Sequence, residues 1–107
     1  MVIFNKYENN IDKTWYQSSN VVYSECEDKI NDYKELKVVF KNGSTYVYHK
    51  LDVKDYLMFR NASSQGKALN EYIKKYEYEK CENSDLTEIN NELLSLIEEY
   101  NEKSKLE

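Results

Sequence analysis

Two stretches of the chain alternate apolar and polar positions closely enough to predict strands: Leu36-Lys37-Val38-Val39-Phe40-Lys41 and Ser44-Thr45-Tyr46-Val47-Tyr48-His49. Asn42-Gly43 lies between them, a dipeptide that favours the left-handed backbone of a tight hairpin. Upstream, Val21-Val22-Tyr23 reads as a third strand. The acidic, irregular segment from Glu25 to Glu35 then becomes the loop that joins it to the hairpin.

Beyond the hairpin the apolar spacing lengthens to that of helices. Asp52 is placed to cap a helix carrying Val53, Tyr56, Leu57 and Phe59, which should end near Ala62. Ser64 caps a second, with Leu69, Tyr72, Ile73 and Tyr76 on one face. A third occupies residues 84–103, where Asp85-Leu86-Thr87-Glu88 fits a wide capping box. Its stripe is Leu86, Ile89, Leu93, Leu96, Ile97 and Tyr100. The expectation is one α+β domain over residues 1–107. It comprises a small antiparallel sheet of about three strands packed by two helices, plus an acidic amphipathic C-terminal helix. That helix packs either on its own domain or on a partner helix.

Composition sharpens this picture in two ways. The 107 residues are 40% apolar and 33% charged, a globular balance, and 11 are Tyr. Tyrosines bury a ring and need a partner for the hydroxyl, so many belong at the margin of the core. Charge is unevenly spread. Residues 1–76 hold 12 Lys or Arg against 10 Asp or Glu, whereas residues 77–107 hold 3 against 10. The acidic character of the chain therefore resides in its C-terminal helix and the linker before it. No segment approaches the ~20 apolar residues of a membrane helix. Met1-Val2-Ile3-Phe4-Asn5-Lys6 turns polar too soon for a signal peptide. A cytoplasmic protein is expected, that of a bacterium or of the host if phage-borne, with no membrane partner. Cys26 and Cys81 would be reduced thiols, too few for a metal site or a disulfide framework, and no cofactor is implied.

Residues that could carry chemistry do not assemble into a catalytic set. His49 has no Ser, Cys or Asp partner visible along the chain. Ser64-Gln65-Gly66-Lys67 lacks the earlier glycine of a phosphate loop, and Ala68 stands where Ser or Thr should follow the lysine. Glu98-Glu99 reads as a solvated helix face.

The Tyr46-Val47-Tyr48 motif depends on hairpin register. With Asn42-Gly43 as a two-residue turn, Tyr46 and Tyr48 share a face with Lys37 and Lys41. That would make an aromatic, basic platform of the kind single strands stack on. With Lys41-Asn42-Gly43 as the loop and Gly43 in the bulge position, Val38 faces Tyr46 and Leu36 faces Tyr48. The tyrosines then join the apolar face. This second register separates apolar from polar positions better.

Several short motifs agree in order with one family. An aromatic precedes Ser18-Ser19-Asn20-Val21; Leu36, Val38, Phe40, Asn42 and Gly43 follow, then Tyr46-Val47-Tyr48 and Tyr56. Ala62, Ser64, Gly66, Lys67 and Asn70 complete the pattern. From Trp15 to Tyr76 the chain resembles the KTSC domain, a short module found at the C-terminus of certain lysyl-tRNA synthetases and alone in small bacterial and phage proteins. It departs at Glu25-Cys26-Glu27, where the family usually carries Gly-Tyr-Asp, and at Asp52, where a Pro is usual. The resemblance implies the fold, and RNA binding has been suggested for the family.

The expected function is therefore a non-enzymatic binding module with a protein or nucleoprotein partner. One form is a phage-encoded inhibitor of a host nucleic-acid enzyme or defence complex, similar in role to an anti-CRISPR protein. The alternative is single-stranded RNA binding through Tyr46, Tyr48, Lys37, Lys41, Lys67, Lys74 and Lys75. Surface candidates are the lead-in Trp15, Ser18, Ser19 and Asn20, the segment Gln65, Gly66, Lys67 and Asn70, and the acidic positions Glu88, Glu92, Glu98, Glu99 and Glu102.

Overall fold

The computed structural model describes the backbone of residues 1–106 and the side chains of residues 1–103. The fold is α+β, built on a six-stranded antiparallel sheet whose spatial order follows the chain. Its strands are β1 (Val2–Glu8), β2 (Ile11–Tyr16), β3 (Val21–Asp28), β4 (Lys34–Phe40), β5 (Thr45–Leu51) and β6 (Tyr78–Cys81). Helices α1 (Val53–Arg60) and α2 (Gln65–Ala68), with the π-turn Leu69–Ile73 that continues α2, cover one face. Helix α3 (Leu86–Leu106) lies on the other. We term these the front and the back.

The expected sheet of about three strands is thus half the sheet present. β1 and β2 are joined at Asn9-Asn10, both with positive φ (54° and 65°), the backbone of a tight hairpin turn made without glycine. The segment read as an acidic loop is mostly strand. Ser24 and Cys26 turn into the front core, while Glu25 faces Lys13 on β2 and Lys37 on β4 across the back. Glu25, and Asp28 opposite Lys34, are therefore cross-strand partners of lysines. Only the short turn Ile30–Asp32, with Asn31 and Asp32 at positive φ, interrupts the chain before β4.

The β4–β5 hairpin takes the three-residue loop. Val38 pairs with Tyr46 and Leu36 with Tyr48. Phe40 N donates to Ser44 O at 2.8 Å and Gly43 N to Phe40 O at 2.9 Å, with Gly43 at φ +92°. At this position a side chain would be strained.

On the front, Val21, Leu36, Val38, Leu51, Phe59, Leu69 and Ile73 are buried together with Tyr16, Tyr48 and Tyr56. Asp52 caps α1 by accepting from Lys54 N. Ser64 caps α2, which turns into the π-turn well before Tyr76, although Leu69 and Ile73 point inward as the spacing predicts. Tyr76 closes this layer by donating its hydroxyl to Asp55 and accepting from Asp52 N.

A buried carboxylate ties β2 to α1. Asp12 accepts from Tyr56 OH at 2.5 Å, Arg60 Nη1 at 2.7 Å and Asn5 Nδ2 at 2.7 Å. Such full satisfaction is what allows a charge to persist inside. Burial, reinforced by Tyr16 and Asp12, raises the Tyr56 phenol, which stays a donor.

The back is thinner. Trp15, Tyr23 and Val39 are buried there, with Ile89, Leu93 and Leu96 of α3 half-buried over them. Trp15 Nε1 donates to Ile89 O at 3.1 Å, and Lys13 Nζ pairs with Glu92 at 3.0 Å. Asp85 caps α3 by accepting from Thr87 N and Glu88 N. None of the described helices is long and apolar enough to cross a membrane.

Candidate functional site

Where β5 meets β6, the front face is not fully roofed. Opposed residues on neighbouring antiparallel strands share a face. Tyr48 stands opposite Tyr78, and Tyr46 opposite Lys80. Phe40, Tyr46, Tyr48, Tyr78, Leu69 and Lys74 line an open groove of about 400–500 Å³ (450 Å³) between this corner and the end of the π-turn. The rings pack edge-on: Phe40 against Tyr46 at 5.7 Å and 89°, Tyr46 against Tyr78 at 5.8 Å and 65°. Tyr48 lies against Tyr78 at 5.7 Å. Tyr48 is buried at the floor, Tyr46 is half-buried, and Tyr78 is 59% exposed as the outer wall. Burial, with Tyr46 and Tyr78 beside it, raises the Tyr48 phenol, so it remains a neutral hydroxyl. Lys74 stands at the rim and Lys80 is exposed on the same face. No carboxylate lines the groove.

The comparisons with known proteins bear on this region. Residues 31–78 match the KTSC domain family. Over this segment the chain is similar to a KTSC domain. No curated protein and no solved structure matches the chain. The matched KTSC segment begins in the turn before β4 and ends at the first residue of β6. It therefore contains all six groove-lining residues. β1, β2, β3 and α3 lie wholly outside it, as do Trp15 and Ser18-Ser19-Asn20, with which the resemblance began in the sequence.

The candidate residues of the sequence distribute unevenly. Tyr46 and Tyr48 are in the groove, but Lys37 is on the opposite face, half-buried opposite Val47, and Lys41 is exposed in the hairpin loop. The three-residue loop, the register that sorted apolar from polar positions better, is the one formed, so the tyrosines join the apolar face and the alternative platform of Tyr46, Tyr48, Lys37 and Lys41 is absent. Trp15 is 2% exposed and belongs to the back core. Gln65 is fully buried, donating to Ala62 O at 2.8 Å and accepting from the Met1 amine. It is a structural clamp and not a surface residue.

Gly66 meets the lead-in. A Cβ on it would stand 2.4 Å from Nδ2 of the exposed Asn20 side chain, which would have to swing aside to admit it. Ser18 accepts from Asn20 N and Val21 N, shaping the same junction. Ser19, Lys67 and Asn70 are exposed. On α3, Glu88, Glu98, Glu99 and Glu102 face solvent, but Glu92 is half-buried in its pair with Lys13.

Tyr78, the outer wall of the groove, and Lys80 on the same face escaped the sequence reading. Tyr78-Glu79-Lys80-Cys81 is too short and too charged to announce a strand, and only its alternation hints at one. His49 is also better partnered than the sequence suggested. Its ring nitrogens face Glu35 and Glu79 at 3.2 Å and 3.1 Å. Among the described residues, no group of three His, Cys, Asp or Glu side chains is arranged to hold a metal ion.

Proposed function

We propose that this chain is a non-catalytic binding module whose aromatic groove takes the bases of single-stranded RNA. The reading rests on one observation: Tyr46, Tyr48, Tyr78 and Phe40 converge on an open groove flanked by Lys74 and Lys80 and lined by no carboxylate. Aromatic faces accept any base by stacking, and lysines at the rim meet the phosphates between bases. The net charge of −5 opposes the long-range approach of RNA. Affinity must then come from the groove itself and fall with salt.

The test is fluorescence anisotropy of a labelled single-stranded oligonucleotide titrated with the full chain across a salt series. Tyr78→Ala should weaken binding by about 1–3 kcal/mol, the worth of one stacked base. Lys74→Glu should weaken it further at low salt. No binding by the wild type at low salt would end this reading.

A second reading has its own support. The outward face of α3 exposes Glu88, Glu98, Glu99 and Glu102, and an acidic helix face fits the basic cleft of a nucleic-acid enzyme. On that reading the chain is a protein-docking accessory, of the kind a phage would carry against a host enzyme or defence complex. Charge reversal at Glu88, Glu98 and Glu102 should then abolish the activity of the module against such an enzyme and leave Tyr78→Ala silent.

A further inference from the structure

On the back of the sheet, directly behind the groove, His49 of β5 stands between strands β4 and β6. Its Nδ1 lies 3.2 Å from Glu35 Oε2 on β4, and its Nε2 lies 3.1 Å from Glu79 Oε1 on β6. Both partners are carboxylates, which accept hydrogen bonds and have none to give. A neutral imidazole carries one N–H and can serve only one of them; serving both requires the imidazolium.

The strand held this way is the shortest in the sheet and lies at its edge. β6 has four residues, all paired on one side to β5, and no further strand follows it. Those four residues supply Tyr78 to the wall of the groove on the front, with Lys80 exposed on the same face. We propose that protonated His49 clasps β6 to the sheet, so that proton uptake on the back face firms the outer wall of the groove on the front. As a statement about ligand binding, this rests on the groove being the binding site; as a statement about β6, it stands alone.

The charged surroundings of the ring are few. Glu35 approaches from β4 and Glu79 from β6, and Glu27 of β3 lies opposite Glu35 in the ladder. Lys37 lies two residues beyond Glu35 on the same face of β4. Helix α3 brings Asp85 and Glu88 to the groove that Lys37 lines. Lys50 follows His49 in the chain, and Glu77 accepts the His49 backbone N–H at 2.8 Å through its own carbonyl. The direction follows from the ring's donor count. Both links exist while the ring carries two protons, and only one can exist once it carries a single proton. The β6 strand is therefore held best on the acid side.

Amide hydrogen exchange on the full chain tests the clasp without any ligand. Exchange of the β6 amides, corrected for intrinsic rates and referred to those of β3, is compared between about pH 5.5 and about pH 8, the span over which histidines change charge. In the wild type, β6 should open about two- to fivefold more at the higher pH, the scale of an exposed ion pair. His49→Gln and Glu79→Gln should each flatten that response while the β3 amides stay protected. A wild-type β6 whose relative protection ignores pH would overturn the proposal, and so would a pH response that persists in His49→Gln. RNA titrations at the same two pH values separate the two readings. Affinity that follows β6 supports both, whereas a β6 response with no RNA bound at either pH leaves the clasp standing and removes the RNA reading.

Discussion

The two faces of this sheet are built to different standards. The front buries twelve core residues beneath α1, α2 and the π-turn, and ties Asp12, Tyr56 and Arg60 into one satisfied network. The back buries three, Trp15, Tyr23 and Val39, under a helix whose own apolar residues remain half-exposed. The matched family segment supplies most of the front and the whole groove, while α3 is added from outside it. A single sheet thus carries a fold-determining face and an accessory one. The aromatic groove opens on the better-built side, its floor set on that core and its outer wall on the short edge strand β6.

The sharpest way to break that contrast is to cut each core. Phe59→Ala, at a fully buried front position, should cost about 3–5 kcal/mol in denaturant unfolding. Leu93→Ala on α3 should cost about 1 kcal/mol, since that side chain is only half-buried. Equal costs would mean that the back is as much a core as the front.

Removing residues 84–107 extends the comparison. The remaining chain should keep a cooperative transition, while the fluorescence of Trp15, the sole tryptophan, shifts to the red as its cover is lost. Loss of folding would make α3 integral.

The thiols report the same asymmetry more gently. Burial pushes Cys26 up to about 12, and it lies in the front core, so it should resist alkylation in the native protein. Cys81 on the edge strand β6 is half-exposed and should react first, as read by mass spectrometry. The smallest effect is expected at Asp55. The hydroxyl of Tyr76 and the ammonium of Lys75 hold its carboxyl below the usual value. Its contribution is present above the ordinary carboxylate range and is lost as pH falls through the lowered one. Asp55→Asn should therefore lose a little stability at neutral pH and show a shallower acid limb.

What the sequence conveyed followed where local signals were strong. Asn42-Gly43 marked the hairpin, and sorting Leu36, Val38 and Phe40 against Tyr46 and Tyr48 chose its register. Asp52, Ser64 and Asp85 marked three helix starts, each with its side chain accepting backbone N–H groups. What went unread lacked such signals. β1 is irregular between Val2 and Phe4, and its turn uses Asn9-Asn10 in place of a glycine. The second half of β3 looked like a loop because Glu25 and Glu27 alternate with buried positions on a face where neighbouring lysines answer the first of them. The groove was half legible. Its tyrosines stood out, but its outer wall depends on β6, a strand that exists through pairing with β5 more than through its own composition.

Strand order carries a consequence for how the molecule forms. Every strand pairs with its neighbour in the chain, so all but one of the pairings close across short turns. A sheet assembled from such local contacts faces little loop-closure cost, and its contact order is low for a structure so rich in strands. Two steps run against that locality: β6 must return to β5 across α1 and α2, and α3 must travel back to Trp15 on β2. These should be the last to lock. The single tryptophan sits under the later of them, so a stopped-flow trace of its emission would lag the far-ultraviolet signal of the sheet.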